Sequence, residues 1–143
     1  MEKTDILKMY FGYDSFRPGQ EELADALLGG TDVLGIMPTG AGKSLCYQVP
    51  ALMMSGITLV ISPLISLMKD QVNALVQQGV SAAYLNRSLS EAQYTKALKN
   101  ASNGKYKLIY VAPERLENAA FINMCRGIRI SMVAVDEAHC VSQ

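Results

Sequence analysis

The sequence has a single histidine, and that scarcity closes off a class of site. His139 has no second histidine or cysteine at metal-ligand spacing, which excludes a zinc site built on it. Cys46, Cys125 and Cys140 are odd in number and widely spaced, a pattern that fits neither a disulfide framework nor a zinc cluster. Reduced thiols in a cytoplasmic protein (nucleoid-associated if bacterial) are the reading they support. There is no excess of either charge: 13 basic residues balance 13 acidic ones, with a pI near 6.6. Bulk charge therefore gives no support to nucleic-acid binding, and any such claim has to rest on local motifs. No long hydrophobic run exists either. The longest, Gly56 to Met68, is interrupted by Pro63 and is too short to span a bilayer. The start, Met1 to Asp5, is too polar for a signal peptide, so no membrane partner is expected. Asn86-Arg87-Ser88 and Asn100-Ala101-Ser102 match the glycosylation acceptor pattern, but without a sign of secretion they carry no weight.

What is present is a globular chain. Half of its residues are hydrophobic and 18% are charged, in a length that allows one domain, residues 1–143. Apolar runs and helical periodicities alternate. Gly19 to Leu28 reads as a helix stopped by Gly29-Gly30, and Val33 to Met37 as a strand buried on both faces. Lys43 to Met54 is predicted helical and Thr58 to Ile61 extended. Ser62-Pro63 then reads as the N-cap and first turn of a helix carrying Leu64, Leu67, Met68, Val72, Leu75 and Val76, ended by Gly79. Ala82 to Leu85 is a weaker strand. Ser88-Leu89-Ser90-Glu91 suggests a capping box for a helix to Ala101. Leu108 to Val111 is a strand, Glu114 to Met124 a helix and Ile130 to Val135 the last strand. The alternation implies βαβ units and a mostly parallel sheet whose strands are covered on both faces by helices. The methionines read as core filler.

Two motifs carry chemistry. The first is the loop Pro38-Thr39-Gly40-Ala41-Gly42-Lys43-Ser44, set between a strand and a helix. Such a loop presents unpaired N–H groups at the positive end of a helix dipole, which suits a triphosphate. Gly40 and Gly42 let the backbone wrap phosphate, Lys43 supplies a compact positive charge, and the Ser44 hydroxyl can ligate Mg²⁺. The general pattern wants a glycine where Met37 stands, so this is a variant loop. The second motif is Asp136-Glu137-Ala138-His139 at the carboxyl end of an apolar strand, the edge where open parallel sheets bind ligands. Asp136 would hold Mg²⁺, and Glu137 would orient and deprotonate the attacking water. Together they describe an ATP-hydrolysing site with ATP and Mg²⁺ as cofactors and Lys43, Asp136 and Glu137 as its catalytic residues.

Five segments point further: Phe16 to Gln20, Met37 to Ser44, Ser62 to Gln71, Ala112 to Leu116 and Asp136 to Gln143. In this order they resemble the motifs of RecQ-family ATP-dependent DNA helicases of superfamily two, whose phosphate loop begins Met-Pro. The resemblance implies an α/β, RecA-like P-loop NTPase domain. It implies that Gln20 reads the adenine edge, with Tyr13 and Arg17 flanking the base. Taken alone, Phe16 to Gln20 is a proline-initiated helix start. The resemblance also puts Ser62 to Asp70 and Pro113 to Arg115 on the face that tracks DNA, single-stranded or duplex, with Ser62, Lys69 and Arg115 as contacts. As plain residues, Lys69 and Arg115 read equally well as solvated helix charges.

In that family the protein unwinds duplex 3′ to 5′ with ATP held between two RecA-like domains. The chain here corresponds to the first, incomplete at its C-terminus. The missing second domain supplies an arginine finger, so the expectation for these residues alone is Mg-ATP binding with little turnover. A central strand would be missing as well, leaving a gap in the sheet. Two other readings stay open: a noncatalytic nucleotide-binding or interaction module from a truncated gene product, and another P-loop nucleic-acid translocase, including one on RNA. Oligomeric state is not legible.

Overall fold

The computed structural model describes residues 2–16, 44–63 and 65–135, with residues 44–46 described in their backbone alone. These form two compact units, Met1–Ser55 and Gly56–Gln143. The helix expected at Gly19 to Leu28 and the strand at Val33 to Met37 lie outside the described residues.

The first unit contains α1 (Lys3–Phe11) and α2 (Ser44–Met53). α1 has no counterpart among the sequence expectations. Its start is polar, and the Glu2 N–H donates to the Asp5 carboxylate at 3.1 Å. Ile6 and Leu7 are buried, with Tyr10 and Phe11 half-buried beside them, the spacing of one helix face. Gly12 ends the helix at φ 77°, a left-handed geometry that costs a glycine little. α2 agrees with the expected helix and tolerates Pro50 in its interior, where the Pro50 carbonyl still accepts from the Met54 N–H at 3.0 Å. Val49 of α2 is buried with Ile6 and Leu7.

The second unit runs β1 (Ile57–Ile61), α3 (Ile65–Gln77), β2 (Ala82–Leu85), α4 (Glu91–Ser102), β3 (Leu108–Val111), a 3₁₀ turn (Pro113–Arg115), α5 (Ala119–Arg126) and β4 (Ile130–Val135). All three strand pairings are parallel and the order is β2-β3-β1-β4. This is the α/β, parallel architecture that the alternation of elements predicts. Residues of alternate parity supply the core. Ile57, Leu59, Leu85, Ile109 and Val111 pack with Tyr94, Leu98 and Ala101 of α4 and Phe121 and Met124 of α5. Thr58, Val60, Leu108 and Tyr110, of the opposite parity, are also buried. The expectation of cover on both faces therefore holds for β1 and β3. In β4 Met132 is buried, while Val133 and Val135 are each 54% exposed.

The Ser62 N–H, at the position expected to cap the next helix, donates to the Val111 carbonyl at 3.1 Å and so continues the sheet ladder. Three local expectations are corrected. Val76 was expected on the apolar face of α3 and is 54% exposed, whereas Met68, Val72 and Leu75 are buried. The capping box of α4 is Ser90 with Gln93, not Ser88 with Glu91. The Ser90 hydroxyl accepts from the Gln93 N–H at 3.2 Å, and the Gln93 carboxamide accepts from the Ser90 N–H at 2.9 Å. Ser88 is drawn away because its N–H and hydroxyl both donate to the Asn86 side chain. The helix expected from Glu114 to Met124 is broken. Asn118 caps a new helix by accepting from the Phe121 N–H at 3.0 Å, and a side chain that satisfies an orphan helix donor this way favours a start over an interior position. As for the methionines, Met68, Met124 and Met132 are in the core, while Met9 is 60% exposed.

Two outcomes follow for stability. Ser90→Ala removes the reciprocal cap and should cost about 1 kcal/mol, read as a lower thermal midpoint. Gly56→Ala should cost about 1–3 kcal/mol by overpacking. A Cβ there would lie 2.7 Å from the Arg129 carbonyl and displace the Ser131 hydroxyl that accepts from the Gly56 N–H. An unchanged midpoint in either variant contradicts the packing described.

Candidate functional site

The four strands of the second unit finish level. Leu85 pairs with Val111, Val111 with Ile61, and Ile61 with Val135. Asn86, Ala112 and Ser62 therefore leave the sheet from one carboxyl edge, where Val135 also ends β4. This is where parallel α/β sheets place ligands, because crossovers open a crevice there. Among the described residues no group of three histidine, cysteine, aspartate or glutamate side chains is placed to hold a metal. Nor is any helix among them long and apolar enough to cross a membrane.

The predicted site residues divide accordingly. Arg17, Gln20, Pro38, Thr39, Gly40, Ala41, Gly42, Lys43, Asp136 and Glu137 lie outside the described residues. Ser44 is the first residue of α2, in the first unit. Tyr13, in that unit, is 52% exposed just past Gly12, and its N–H donates to the Leu7 carbonyl at 3.4 Å. Ser62, Lys69 and Arg115 belong to the second unit and differ sharply in setting. Ser62 is buried at the end of β1, Lys69 is exposed on α3, and Arg115 is half-buried in the turn after β3.

Asn86, which the sequence reading passed over, joins these elements. It follows β2 and is fully buried. Its side-chain carbonyl accepts from the Ser88 N–H at 2.9 Å and from the Ser88 hydroxyl. Its backbone carbonyl accepts from the Leu89 N–H at 3.3 Å, closing a turn. Its amide donates to the Met68 thioether of α3 at 3.5 Å, and the Arg115 Nη2 donates to its backbone carbonyl at 3.5 Å. The signal was present: Asn-x-Ser directly after a strand is the pattern of a side-chain-closed turn, not only of a glycosylation acceptor.

Arg115 is held from a second side. Its guanidinium carbon lies 4.7 Å from the centre of the Tyr94 ring, within cation–π range. The Tyr94 hydroxyl donates to the Asn118 side chain at 3.0 Å, the same oxygen that caps α5. The Arg115 Nε is buried and has no hydrogen-bond partner among the described residues. One connected set of contacts thus runs from α3 through Asn86 and Arg115 to α4 and α5.

Burial pushes the Tyr94 phenol above its ordinary value near 10, opposed by the Arg115 charge and reinforced by Cys125. Burial also raises the Cys125 thiol and lowers the Lys107 ammonium. The folded state therefore favours neutral Tyr94. Its contribution is complete below the unfolded value near 10.0 and is lost as pH rises through the higher folded value. Tyr94→Phe should flatten the loss of stability on the alkaline side in a denaturant titration run across pH. An alkaline limb identical in both proteins would rule Tyr94 out as its source.

Comparison with known proteins gives the family. The DEAD/DEAH box helicase family model matches residues 17–143. The chain is 52% identical over 139 residues to the ATP-dependent DNA helicase RecQ of Pasteurella multocida, covering 97% of this chain and 22% of that protein. It is 51% identical over 139 residues to the Bacillus subtilis protein of the same name, covering 96% of this chain and 24% of that one. To the ATP-dependent DNA helicase Q-like 5 of Arabidopsis thaliana it is 46% identical over 141 residues, covering 98% and 15%. The chain thus spans about a quarter or less of these relatives. The chain belongs to the DEAD/DEAH box helicase family, in its RecQ branch.

Proposed function

We propose that residues 1–143 are part of the first ATP-binding domain of a protein that couples ATP hydrolysis to 3′ to 5′ movement along DNA and unwinds duplex. The observation that carries this reading is the level carboxyl edge of the sheet. Ile61 pairs with Val111 and with Val135, the residue before Asp136 in the sequence, so β1, β3 and β4 end together where Ser62 and the turn after β3 depart. Nucleotide chemistry at Asp136-Glu137 and nucleic-acid contact at the neighbouring strand ends would then share one rigid base. The names of the relatives, each an ATP-dependent DNA helicase, favour DNA as the polymer.

In this reading Lys43 and the backbone from Pro38 to Ser44 bind the β- and γ-phosphates, and Gln20, Tyr13 and Arg17 take the base. Ser44 and Asp136 offer a hydroxyl and a carboxylate oxygen, hard donors of the kind Mg²⁺ accepts. When bound, the ion would neutralise charge on the phosphates. Glu137 holds and deprotonates the attacking water. The rest of the work is positioning and charge stabilisation, since phosphoryl transfer asks little covalent chemistry of the protein. A second RecA-like domain completes the site across the nucleotide.

The test is phosphate release from Mg-ATP by the full-length protein, with and without single-stranded DNA, beside Lys43→Ala. Release stimulated by DNA and lowered about 10²–10³-fold in the variant is expected, the loss typical of one preorganised charge contact. ATP binding with no DNA-stimulated release in the unaltered protein would overturn the catalytic reading and favour a noncatalytic module. Stimulation by RNA alone would overturn the choice of polymer.

A further inference from the structure

We propose that Arg87 is the guanidinium that meets the nucleic-acid phosphates at this end of the sheet, and that Arg115 is the brace that holds the turn presenting it. The proposal rests on the reading of the chain as part of a nucleic-acid motor, and it reassigns a contact within that reading.

Arg115 is half-buried, and one edge and one face of its guanidinium are engaged inside the protein. A bidentate phosphate contact uses two N–H groups on one edge of the guanidinium. On the edge formed by Nε and Nη2, Nε is buried and Nη2 donates to the Asn86 carbonyl. The guanidinium face lies over Tyr94. To grip a phosphate with that edge, Arg115 would give up the hydrogen bond and the ring contact together.

Arg87 has the opposite setting. It occupies the second position of the turn closed by the Leu89 N–H on the Asn86 carbonyl, and its side chain is exposed. The turn is not a loose loop. Its first residue, Asn86, is fully buried and fixed through Ser88, Met68 and Arg115. Arg115 thus acts on Arg87 through the backbone carbonyl of the preceding residue. Lys69 is exposed one residue beyond Met68, whose sulfur accepts from Asn86. Each residue of that buried contact is thus followed in the chain by an exposed cation, Lys69 after Met68 and Arg87 after Asn86. Asp70, Glu91 and Glu114 are exposed on the same elements or beside them, so the surface is not a uniform basic field. The site is instead a pair of placed charges, consistent with the zero net charge of the chain.

The experiment measures binding of a single-stranded oligothymidylate to the full-length protein against salt concentration, with thermal midpoints for the same variants. A lost phosphate contact lowers the slope of log affinity against log salt by about 0.7 on a single strand. Arg87→Gln should lower the slope by that amount and leave the midpoint unchanged. Arg115→Gln and Tyr94→Leu should each lower the midpoint, and the double variant should fall no further than the worse single one, because both remove the same brace. Tyr94→Leu removes no charge, so a lowered slope in that variant is the mark of a brace that presents Arg87. An unchanged slope in Arg87→Gln with binding otherwise intact overturns the proposal. So does a lowered slope in Arg115→Gln together with an unchanged slope in Tyr94→Leu, since Arg115 would then touch phosphate itself. If the unaltered protein fails to bind the oligonucleotide, the motor reading falls and takes the Arg87 assignment with it. The midpoints then still decide whether Arg115 and Tyr94 form one unit.

Discussion

The backbone pairing that levels Leu85, Val111, Ile61 and Val135 is the constraint on which the placement of the second unit's residues depends. Both faces of β1 and β3 are buried, and a slip of one residue would exchange Leu59, Ile109 and Val111 for Thr58, Val60, Leu108 and Tyr110, a set of different size and polarity, against each layer. The hydrophobic core thereby fixes more than stability. It decides which residue leaves each strand at the carboxyl edge. There the ladder extends one step past the strands, with the Ser62 N–H donating to Val111 and the Ala112 N–H donating to Leu85. Those bonds hold the exits of β1 and β3 as firmly as the strands themselves.

Polar groups at that edge need partners as much as the core needs packing. Asn86 is fully buried, and an amide in that position is costly unless it is bonded. It is engaged on both side-chain atoms, and its backbone carbonyl serves two donors. Arg115 shows the limit of such arrangements. Its guanidinium trades solvation for a ring face and one long hydrogen bond, and its Nε finds no partner among the described residues. A charge so placed is better suited to holding neighbouring elements in position than to exchanging ligands. The exposed Lys69 and Arg87 retain their hydration and can give it up to a phosphate at lower cost.

The strands and most helices were legible because they depend on patterns that the chain writes locally. Ile130 to Val135 is continuous and apolar and has the predicted bounds; Ala82 to Leu85 and Leu108 to Val111 do as well. The errors share a cause. Ser88 and Glu114 were each assigned from helix-start or helix-interior preferences. In each case a competing group nearby decided the outcome: Asn86 took Ser88, and Asn118 opened a new helix after Arg115. Preference scales describe what a residue does when nothing else asks for it. α1 was missed for a related reason, since its apolar face is short and gains its meaning from Val49, far along the chain.

The same distinction governs how much of the site could be read. The phosphate loop and Asp136-Glu137 are contiguous motifs, each carrying its chemistry in a few adjacent residues. The edge proposed to meet the polymer is assembled from single residues on α3, on the turn after β2 and on the turn after β3. No spacing in the sequence announces that Met68, Asn86 and Arg115 are in contact. The resemblance drew attention to Lys69 and Arg115 because they lie within motifs, and it could not tell a presented charge from an enclosed one. That difference follows from Tyr94, 21 residues before Arg115 in the numbering, whose ring covers the guanidinium. A charged residue inside a motif is therefore only a starting point for assigning a contact. What decides its role is whether its hydrogen-bonding edge faces solvent or is already occupied by the fold.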